Sequence, residues 1–166
     1  MELRVATPGD WQAVAAVLRR SYGELMAAAY PDAVMASALP LITRANPGLL
    51  ASGRYYLVEA ETGEPAGCGG WSAHPPGARE RDPRRAHIRH FAVHPAWTGR
   101  GAGRMLYQRC EADARAAGFA AFECWSSLNG EAFYAALGFR RLHRIATPLP
   151  GGVRLPAVRM ERPIRS

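Results

Sequence analysis

The sequence predicts a single mixed α/β domain in which about four helices pack on a mixed β-sheet of about seven strands. The first supporting observation is the order of the periodic segments, which reads β-α-α-β-β-β-α-β-α-β-β along the chain. The second is composition, because 48% apolar and 21% charged residues are typical of globular proteins. The third is length, since 166 residues without an internal repeat or linker suit one domain over residues 1–166.

The chain is predicted to open with a short strand and an amphipathic helix. Residues 3–6 are β-like, and a capping pattern follows in which Thr7 is the N-cap, Pro8 the first helical residue and Asp10 the third. Residues at helical spacing predict the buried face of this helix, namely Trp11, Val14, Ala15 and Leu18.

The next segments are a second helix and a hairpin. A helix is predicted within residues 24–39, broken near Pro31, and residues 46–54 are predicted to be a loop. A β-hairpin spans residues 56–73, with its turn at residues 61–64 and a second arm weakened by glycines.

The following segments alternate between strand and helix. Residues 86–93 and 119–126 are predicted strands, and a helix at residues 101–117 joins them, stopped by Gly118. A shorter helix follows within residues 127–138. One face of the longer helix is apolar, and it consists of Ala102, Met105, Leu106 and Cys110.

The last two strands are predicted at residues 139–146 and 153–162, around a turn at residues 148–152. Pro156 lies inside the final strand. Because proline cannot donate to a ladder, it predicts an edge position or a bulge there.

The net charge of +7 comes from arginine, because all 21 Lys and Arg residues are arginine. Such a charge is compatible with nucleic acid, an anionic cofactor or a compositional bias of the genome. The arginines are scattered apart from residues 78–90, and that run also contains Glu80, Asp82 and a proline. We therefore interpret the run as a solvated loop that enters a strand, and nucleic-acid binding as the weaker alternative.

Cysteine usage and hydropathy bear on the environment of the protein. Three cysteines, Cys68, Cys110 and Cys124, are an odd number at wide spacings, which fits neither a disulfide framework nor a zinc knuckle. The last two are predicted core residues. No apolar run is long enough to span a membrane, and no N-terminal signal pattern occurs. The sequence therefore predicts a cytoplasmic protein without a membrane segment or a metal.

Gly99, Gly101 and Gly103 alternate at a predicted strand-to-helix junction, beside Arg100 and Arg104. Amides at a helix start converge, and the helix dipole adds positive charge, so phosphate groups bind there readily. Side chains at the three glycine positions are expected to obstruct a diphosphate. The sequence has no lysine for a P-loop, and its central G-x-G-x-G pattern differs from the G-x-G-x-x-G of an early dinucleotide-binding unit.

Two motifs follow each other between residues 87 and 139. The first consists of Val93, His94 and Pro95, then Thr98, Gly99, Arg100, Gly101, Ala102 and Gly103. The second consists of Asn129, Phe133, Tyr134, Gly138 and Phe139. In this order and separation they resemble the GNAT superfamily of acetyl-CoA-dependent N-acetyltransferases. The family motif begins with Gln or Arg where this sequence has Thr98, a departure that removes a long side chain but no backbone donor.

The resemblance implies that acetyl-CoA binds between two strands that splay apart, here residues 86–93 and 119–125. The pantetheine arm would pair like an extra strand, with the backbone N–H groups of Phe91 and Val93 holding its amide and the acetyl carbonyl. Asn129 is implied either to orient the pantetheine or to cap a helix. The implied cofactor contacts are Phe91, Ala92, Val93, Thr98, Gly99, Arg100, Gly101, Ala102, Gly103, Arg104, Asn129, Phe133 and Tyr134.

The resemblance also implies two catalytic side chains. Tyr134 matches the tyrosine that protonates or hydrogen-bonds the departing thiolate, and a phenol with a pKa of about 10 stays protonated at neutral pH. His87 occupies a strand position where relatives often carry a base, and a histidine ordinarily titrates near neutral pH. Glu59 and Glu123 are the alternatives for this base.

Strand periodicity predicts how the side chains around His87 are arranged. With a period of two, residues 87, 89, 91 and 93 share one face of the strand, and His90 points to the opposite face. The resemblance implies that residues 22–54 and 147–153 recognise the acceptor substrate. Three aromatic residues are candidates either for an aromatic pocket or for the core, namely Tyr30, Trp71 and Trp125.

The expected activity is transfer of an acetyl group from acetyl-CoA to a primary amine in a ternary complex. The acceptor is either a small-molecule amine or an amine of a peptide or protein, and a homodimer stays open. A non-catalytic acyl-CoA sensor on the same fold is the alternative, which the presence of Tyr134 disfavours.

Overall fold

The computed structural model describes residues 1–76 and 80–164. Within these residues it has a seven-stranded mixed sheet and five α-helices, which confirms the predicted order and adds one short helix. The strands are β1 (Glu2–Val5), β2 (Tyr55–Glu59), β3 (Pro65–Ser72), β4 (Arg85–Val93), β5 (Ala121–Ser127), β6 (Arg140–Pro148) and β7 (Arg154–Pro163). The helices are α1 (Trp11–Leu25), α2 (Asp32–Ile42), α3 (Pro47–Ala51), α4 (Ala102–Ala116) and α5 (Glu131–Ala136).

The sheet has the order β1-β2-β3-β4-β5-β7-β6, and β4 and β5 are its parallel neighbours while the other pairs are antiparallel. The parallel pairing is limited to residues 85–87 against residues 121–123. Beyond these residues the two strands separate, and a gap opens between their C-terminal halves. The splaying that the family resemblance implies is therefore present.

Helices cover both faces of the sheet. One face packs against α4 and α5 and buries the largest apolar cluster, around Leu106 and Phe122; we call it the α4 face. The other, the α1 face, buries one cluster around Leu18 beneath α1 and another around Met26 beneath α2. All three cysteines are buried with free thiols, as a core position requires.

Two predictions about α1 need correction. Thr7 does begin a capped turn, since its N–H donates to Asp10 Oδ2 at 2.8 Å, but the turn is a 3-10 helix (Pro8–Asp10) that precedes α1. Trp11, predicted on the buried face, is 55% exposed. The buried stripe begins one turn later, with Val14.

The predicted loop at residues 46–54 contains α3. Asn46 Oδ1 accepts a hydrogen bond from the Leu49 N–H at 3.1 Å, and Pro47 is the first helical residue. A capping side chain followed by proline is a helix-start signal, and it outweighs the short length of the segment. By contrast, α2 begins directly after Pro31, where the break was predicted, and extends beyond its predicted end.

β7 is an interior strand, so the edge position predicted from Pro156 is wrong for the strand as a whole. β5 pairs with β7 only as far as Ser127 opposite Ala157. At Pro156 the β5 side of β7 is therefore open, and the missing N–H interrupts no ladder on that side.

Two residues of the arginine-rich run at residues 78–90, Ala78 and Arg79, lie outside the described residues. In its described part, Arg85 Nη1 lies 3.4 Å from Glu123 Oε2 and Arg85 Nη2 lies 3.5 Å from Glu161 Oε2. Arg85 thus belongs to an internal ion-pair network rather than to a free basic surface.

Candidate active site

A β-bulge bends β4 beside the gap. Pairing with β3 passes from Arg89 opposite Gly70 to Ala92 opposite Cys68, so two residues of β4 face Gly69 alone. The bulge accounts for one glycine of the predicted hairpin arm, Gly69, because a strand opposite a bulge must let side chains come close.

His90 is the residue that makes the bulge. Its φ of 53° is left-handed, which costs a non-glycine residue about 1–2 kcal/mol. Two tyrosine hydroxyls stabilise the distorted backbone: Tyr55 donates to His90 O at 2.8 Å and Tyr22 donates to Phe91 O at 2.9 Å. A Cβ on Gly69 would overlap the Phe91 ring, so the glycine makes room for it.

The bulge shows that the predicted arrangement of side chains along β4 is wrong. Residues 87, 89, 91 and 93 were expected to share a face, but the extra residue reverses the alternation after Arg89. His87 and Arg89 lie on the α1 face, whereas Phe91 and Val93 pack against the cluster of the α4 face. His90 does not point away from His87, because its ring also faces α1.

Tyr134 of α5 reaches the gap between β4 and β5. Its ring lies 6.2 Å from that of Phe91, and the residue is 8% exposed. Its hydroxyl makes no hydrogen bond to any residue that the structure describes. Burial raises the pKa of the phenol well above its usual value, so it stays protonated. The gap therefore contains a protonated donor that the fold itself does not use.

The backbone of β4 adds donors on the same side. The His94 N–H donates to Ala66 O of β3 at 2.8 Å, and backbone groups alternate between the two sides of a strand. By this alternation Phe91 and Val93 turn their N–H groups toward the gap, while Ala92 turns its own toward β3. Of the three strand residues implied to contact a cofactor, the geometry brings two to the gap and not Ala92.

The glycine loop lies before α4. Gly99 and Gly101 have φ values of 77° and 92°, and no atom lies within 4 Å of the Cβ that either position would carry. Gly101 is the N-cap of α4, and its carbonyl accepts the N–H of Met105 at 3.0 Å. The amides of the first turn have no intrahelical partner and are available to an anion. Arg100 and Arg104 are exposed beside them.

Other implied contact residues have structural roles. Gly103 is buried, and a Cβ there would lie 2.7 Å from Phe133 Cε1, so this glycine lets α5 pack on α4. A side chain at Gly103 would thus meet the Phe133 ring, a packing constraint that the sequence pattern did not predict. Thr98 and Asn129 are exposed. Gly130 is the N-cap of α5 and no side chain caps that helix, so the capping alternative for Asn129 is not realised.

A cleft of about 620 Å³ opens on the α1 face, over the paired ends of β4 and β5. His87 lines it, is 4% exposed, and its Nδ1 is hydrogen-bonded to no residue in the described part of the protein. Glu123 Oε2 lies 3.9 Å away, too far for a direct hydrogen bond. Burial lowers the pKa of His87 to about 4, against the opposing attraction of Glu123. The predicted titration near neutral pH is thus wrong, and the ring is neutral there.

Glu123 is engaged by three neighbours in the cleft. Its Oε1 accepts hydrogen bonds from Trp125 Nε1 at 3.0 Å and from Arg159 Nε, and its Oε2 lies 3.4 Å from Arg85 Nη1. Burial alone would raise the pKa of Glu123, but the hydrogen bonds from Trp125 and Arg159 outweigh it and lower the pKa. Glu123 is therefore charged and engaged on both oxygens, whereas His87 Nδ1 has no hydrogen-bond partner among the described residues.

The remaining predicted residues are not brought together. Glu59 lies on β2, where Arg4 Nε pairs with its Oε1 at 2.6 Å. Trp71 is buried in the cluster of the α4 face, and Tyr30 is buried beneath α2. Trp125 alone of the three aromatic candidates lines the cleft.

Two chemically distinct surfaces thus meet along β4. The gap offers backbone and phenol donors, the glycine loop before α4 offers unobstructed amides, and the cleft offers a neutral imidazole among charged groups. The Acetyltransferase (GNAT) family model matches residues 12–139 of this sequence. The chain belongs to the GNAT acetyltransferase family.

Solved structures share the fold of this GNAT domain. A GCN5-related N-acetyltransferase from Rhodopseudomonas palustris has a TM-score of 0.74 at 23% identity, covering 98% of this chain and 94% of that chain. The PaiA N-acetyltransferase from Thermoplasma acidophilum, in complex with coenzyme A, has a TM-score of 0.68 at 15% identity, covering 98% of each. The ribosomal-protein-S18-alanine N-acetyltransferase from Escherichia coli has a TM-score of 0.62 at 19% identity, covering 99% and 94%. The comparison with curated proteins finds no match.

GNAT proteins use acyl-CoA, and two features of this GNAT domain fit such a ligand. The loop amides are unobstructed because Gly99 and Gly101 carry no side chain, and the Tyr134 hydroxyl in the gap is unpaired among the described residues. Within residues 1–76 and 80–164, no group of His, Cys, Asp and Glu could hold a metal ion, and no helix is long and apolar enough to cross a membrane.

Proposed function

We propose that this GNAT domain, taken as one catalytic unit over residues 1–166, transfers the acetyl group of acetyl-CoA to a primary amine. The observation that carries the proposal is the gap, in which a protonated Tyr134, unpaired among the described residues, faces the Phe91 end of β4. The cleft lined by His87 lies on the adjoining stretch of β4, and we assign it to the acceptor amine. Both substrates therefore meet in one ternary complex, and the amine attacks directly.

The residues of the gap and loop are assigned to acetyl-CoA, which supplies an activated acetyl thioester. The loop and first turn of α4, residues 98–104, hold the pyrophosphate through backbone amides, with Arg100 and Arg104 adding charge. The N–H groups of Phe91 and Val93 hold the pantetheine amide and the acetyl carbonyl. Phe133 supports the first turn of α4 by packing against Gly103.

Three groups of the protein act during the transfer. His87, neutral at pH 7, accepts the proton that the acceptor amine must lose, through water because its ring is buried. A backbone N–H of β4 stabilises the charge that develops on the carbonyl oxygen. Tyr134 donates a hydrogen bond or its proton to the departing sulfur.

Cofactor specificity is the first test. We expect CoA and acetyl-CoA to stabilise the protein, and NAD and ATP to do so much less, because the loop has neither the dinucleotide nor the P-loop pattern. At 100 times the dissociation constant the stabilisation is about 2.7 kcal/mol. Thermal unfolding with each ligand measures it, and an unchanged Tm at millimolar acetyl-CoA would refute the assignment of the loop.

A glycine comparison tests the loop itself. Gly101→Ala is expected to weaken CoA binding about 10–100-fold, because its methyl group faces the anion site and the left-handed backbone is strained. Gly63→Ala is the matched control, since Gly63 also has a positive φ and open space but lies in the β2–β3 turn. Calorimetry should find unchanged CoA affinity in the control, and equal losses in both variants would contradict the loop assignment.

A further inference from the structure

Arg89 of β4 is a partly buried cation without an anionic partner among the described residues. Its guanidinium donates one hydrogen bond, from Nη1 to Ser72 Oγ at 3.1 Å, and it forms no ion pair with any residue that the structure describes. Residues 77–79 and 165–166, which lie outside the described range, contain no acidic side chain. Ser72 Oγ in turn donates to His74 O at 2.7 Å, so the serine holds Arg89 in place.

Other partly buried arginines of the described residues are neutralised or stacked. Arg54 lies over the Trp71 ring at 4.4 Å. The arginines that pair with carboxylates are Arg85, Arg109, Arg159 and Arg162. Arg89 differs from all of these, and four of the five N–H donors of its guanidinium are left without a partner in the described residues.

Arg89 also lies between the two surfaces that the proposed function uses. It is two residues beyond His87 on the same face of β4, about 7 Å along the strand, and directly precedes the bulge that leads to the gap. His87 lines the cleft and Phe91 lies at the gap, so an acceptor that spans both surfaces crosses the stretch of β4 that carries Arg89.

The histidine neighbours of Arg89 on β4 do not offset its positive charge. Burial lowers the pKa of both His87 and His90 to about 4, so neither imidazole carries a charge at pH 7. Burial likewise lowers the pKa of Arg89 itself. A buried charge is costly unless it is paired, and the planar guanidinium matches a carboxylate in two-point geometry.

We propose that the acceptor carries a carboxylate next to its primary amine, as a free amino acid does, and that Arg89 binds this carboxylate and so selects the acceptor. The proposal rests on the proposed acetyl transfer and adds the substrate class. It excludes a peptide N-terminus as the preferred acceptor, because there the carboxylate has become an amide.

Matched acceptors test the proposal with the wild-type protein. Free amino acids are compared with their amides, such as alanine with alaninamide and phenylalanine with phenylalaninamide, by thiol release from acetyl-CoA. We expect kcat/KM to be at least about tenfold higher for each free acid, the factor that one lost charged hydrogen bond produces. Amides have the less basic amines and are the more reactive at neutral pH, so a preference for the acids cannot come from basicity. Equal kcat/KM for an amino acid and its amide, or a preference for the amides or for phosphoethanolamine, would overturn the assignment of Arg89 to a carboxylate.

Arg89→Gln separates a binding role from a structural one. The variant is expected to lose the preference for the free acids while keeping its kcat/KM for the amides within about threefold. Its Tm without ligand should not fall, because the substitution removes a poorly paired buried charge. Arg54→Gln is the matched control and should keep the preference. Equal losses for acids and amides, or a marked fall in Tm, would show that Arg89 serves the fold instead.

Failure of this inference and failure of the proposed function give different results. If amides and peptides are acetylated as well as acids, the transferase function stands and the role of Arg89 is refuted. If acetyl-CoA does not bind, the function itself fails. In that case amino acids should still raise the Tm of the wild type and not of Arg89→Gln, and absence of this difference would refute the anion site as well.

Discussion

Replacing Tyr134 with Phe is expected to lower kcat by about 10²–10⁴-fold while leaving the fold and the affinity for acetyl-CoA nearly unchanged. The reason is that the hydroxyl makes no hydrogen bond to the described residues, so its removal leaves no partner unsatisfied among them. The ring, which packs against Phe91, Phe133 and Phe139, is retained.

The pH profile of this variant identifies the hydroxyl as a donor. Because burial raises the pKa of Tyr134 well above its usual value, the wild type should show no loss of activity from Tyr134 ionisation up to about pH 10. Raising the pH should not rescue the variant, since it lacks an acid rather than a base. Tyr107→Phe is the control, as its hydroxyl bonds Glu111 of α4 outside the gap. Near-wild-type kcat in Tyr134→Phe would show that the tyrosine only packs.

Replacing His87 with Ala is expected to lower kcat/KM by about 10²–10⁴-fold at neutral pH. A protonated amine cannot attack, and the neutral imidazole, whose Nδ1 is unpaired among the described residues, is the group that we propose to accept its proton. His143→Ala is the matched control, because His143 also lines the cleft but is exposed and belongs to β6.

The loss in His87→Ala should shrink as the pH rises, because free amine then becomes available without a base. The lowered pKa of His87 sets the pH range in which its protonation can affect the wild-type rate. With a pKa of about 4 the imidazole is unprotonated from pH 5 upward, so protonation of His87 contributes no acidic limb near pH 6.5. Paired profiles from pH 5 to 9 measure this. An acidic limb at pH 6.5 that disappears in the variant would contradict the buried, neutral His87, and unaltered activity would pass the base role to Glu123 or to solvent.

Local sequence patterns were enough to predict most of the fold. The spacing of apolar residues, which switches between strand and helix periodicity along the sequence, predicted the seven strands. The glycine and Phe133–Tyr134 motifs predicted the GNAT family, which the family match confirms. Both depend on residues that are neighbours in sequence. The exceptions are local signals given too little weight, such as the cap at Asn46 that starts α3.

The arrangement of the site could not be predicted in the same way, because it depends on contacts between distant residues. The bulge at His90 is held by Tyr55 of β2 and Tyr22 of α1, and strand periodicity carries no information about either contact. The adjacent glycines Gly69 and Gly70 were the available signal, since glycines inside a strand often mark a bulge. The pKa of His87 likewise follows from burial, which the sequence does not specify.

Acetyl transfer to an amine is tested most directly by incubating the protein with acetyl-CoA and a panel of amino acids, small amines and peptides with free amines. Thiol release is measured together with the mass of each amine. We expect that thiol release requires an amine, that each thiol corresponds to one acetyl group on nitrogen, and that Tyr134→Phe loses both signals. Tight binding of acetyl-CoA with neither thiol release nor an acetylated amine, at protein concentrations comparable to the substrates, would contradict acetyl transfer and identify a binding protein on the GNAT fold.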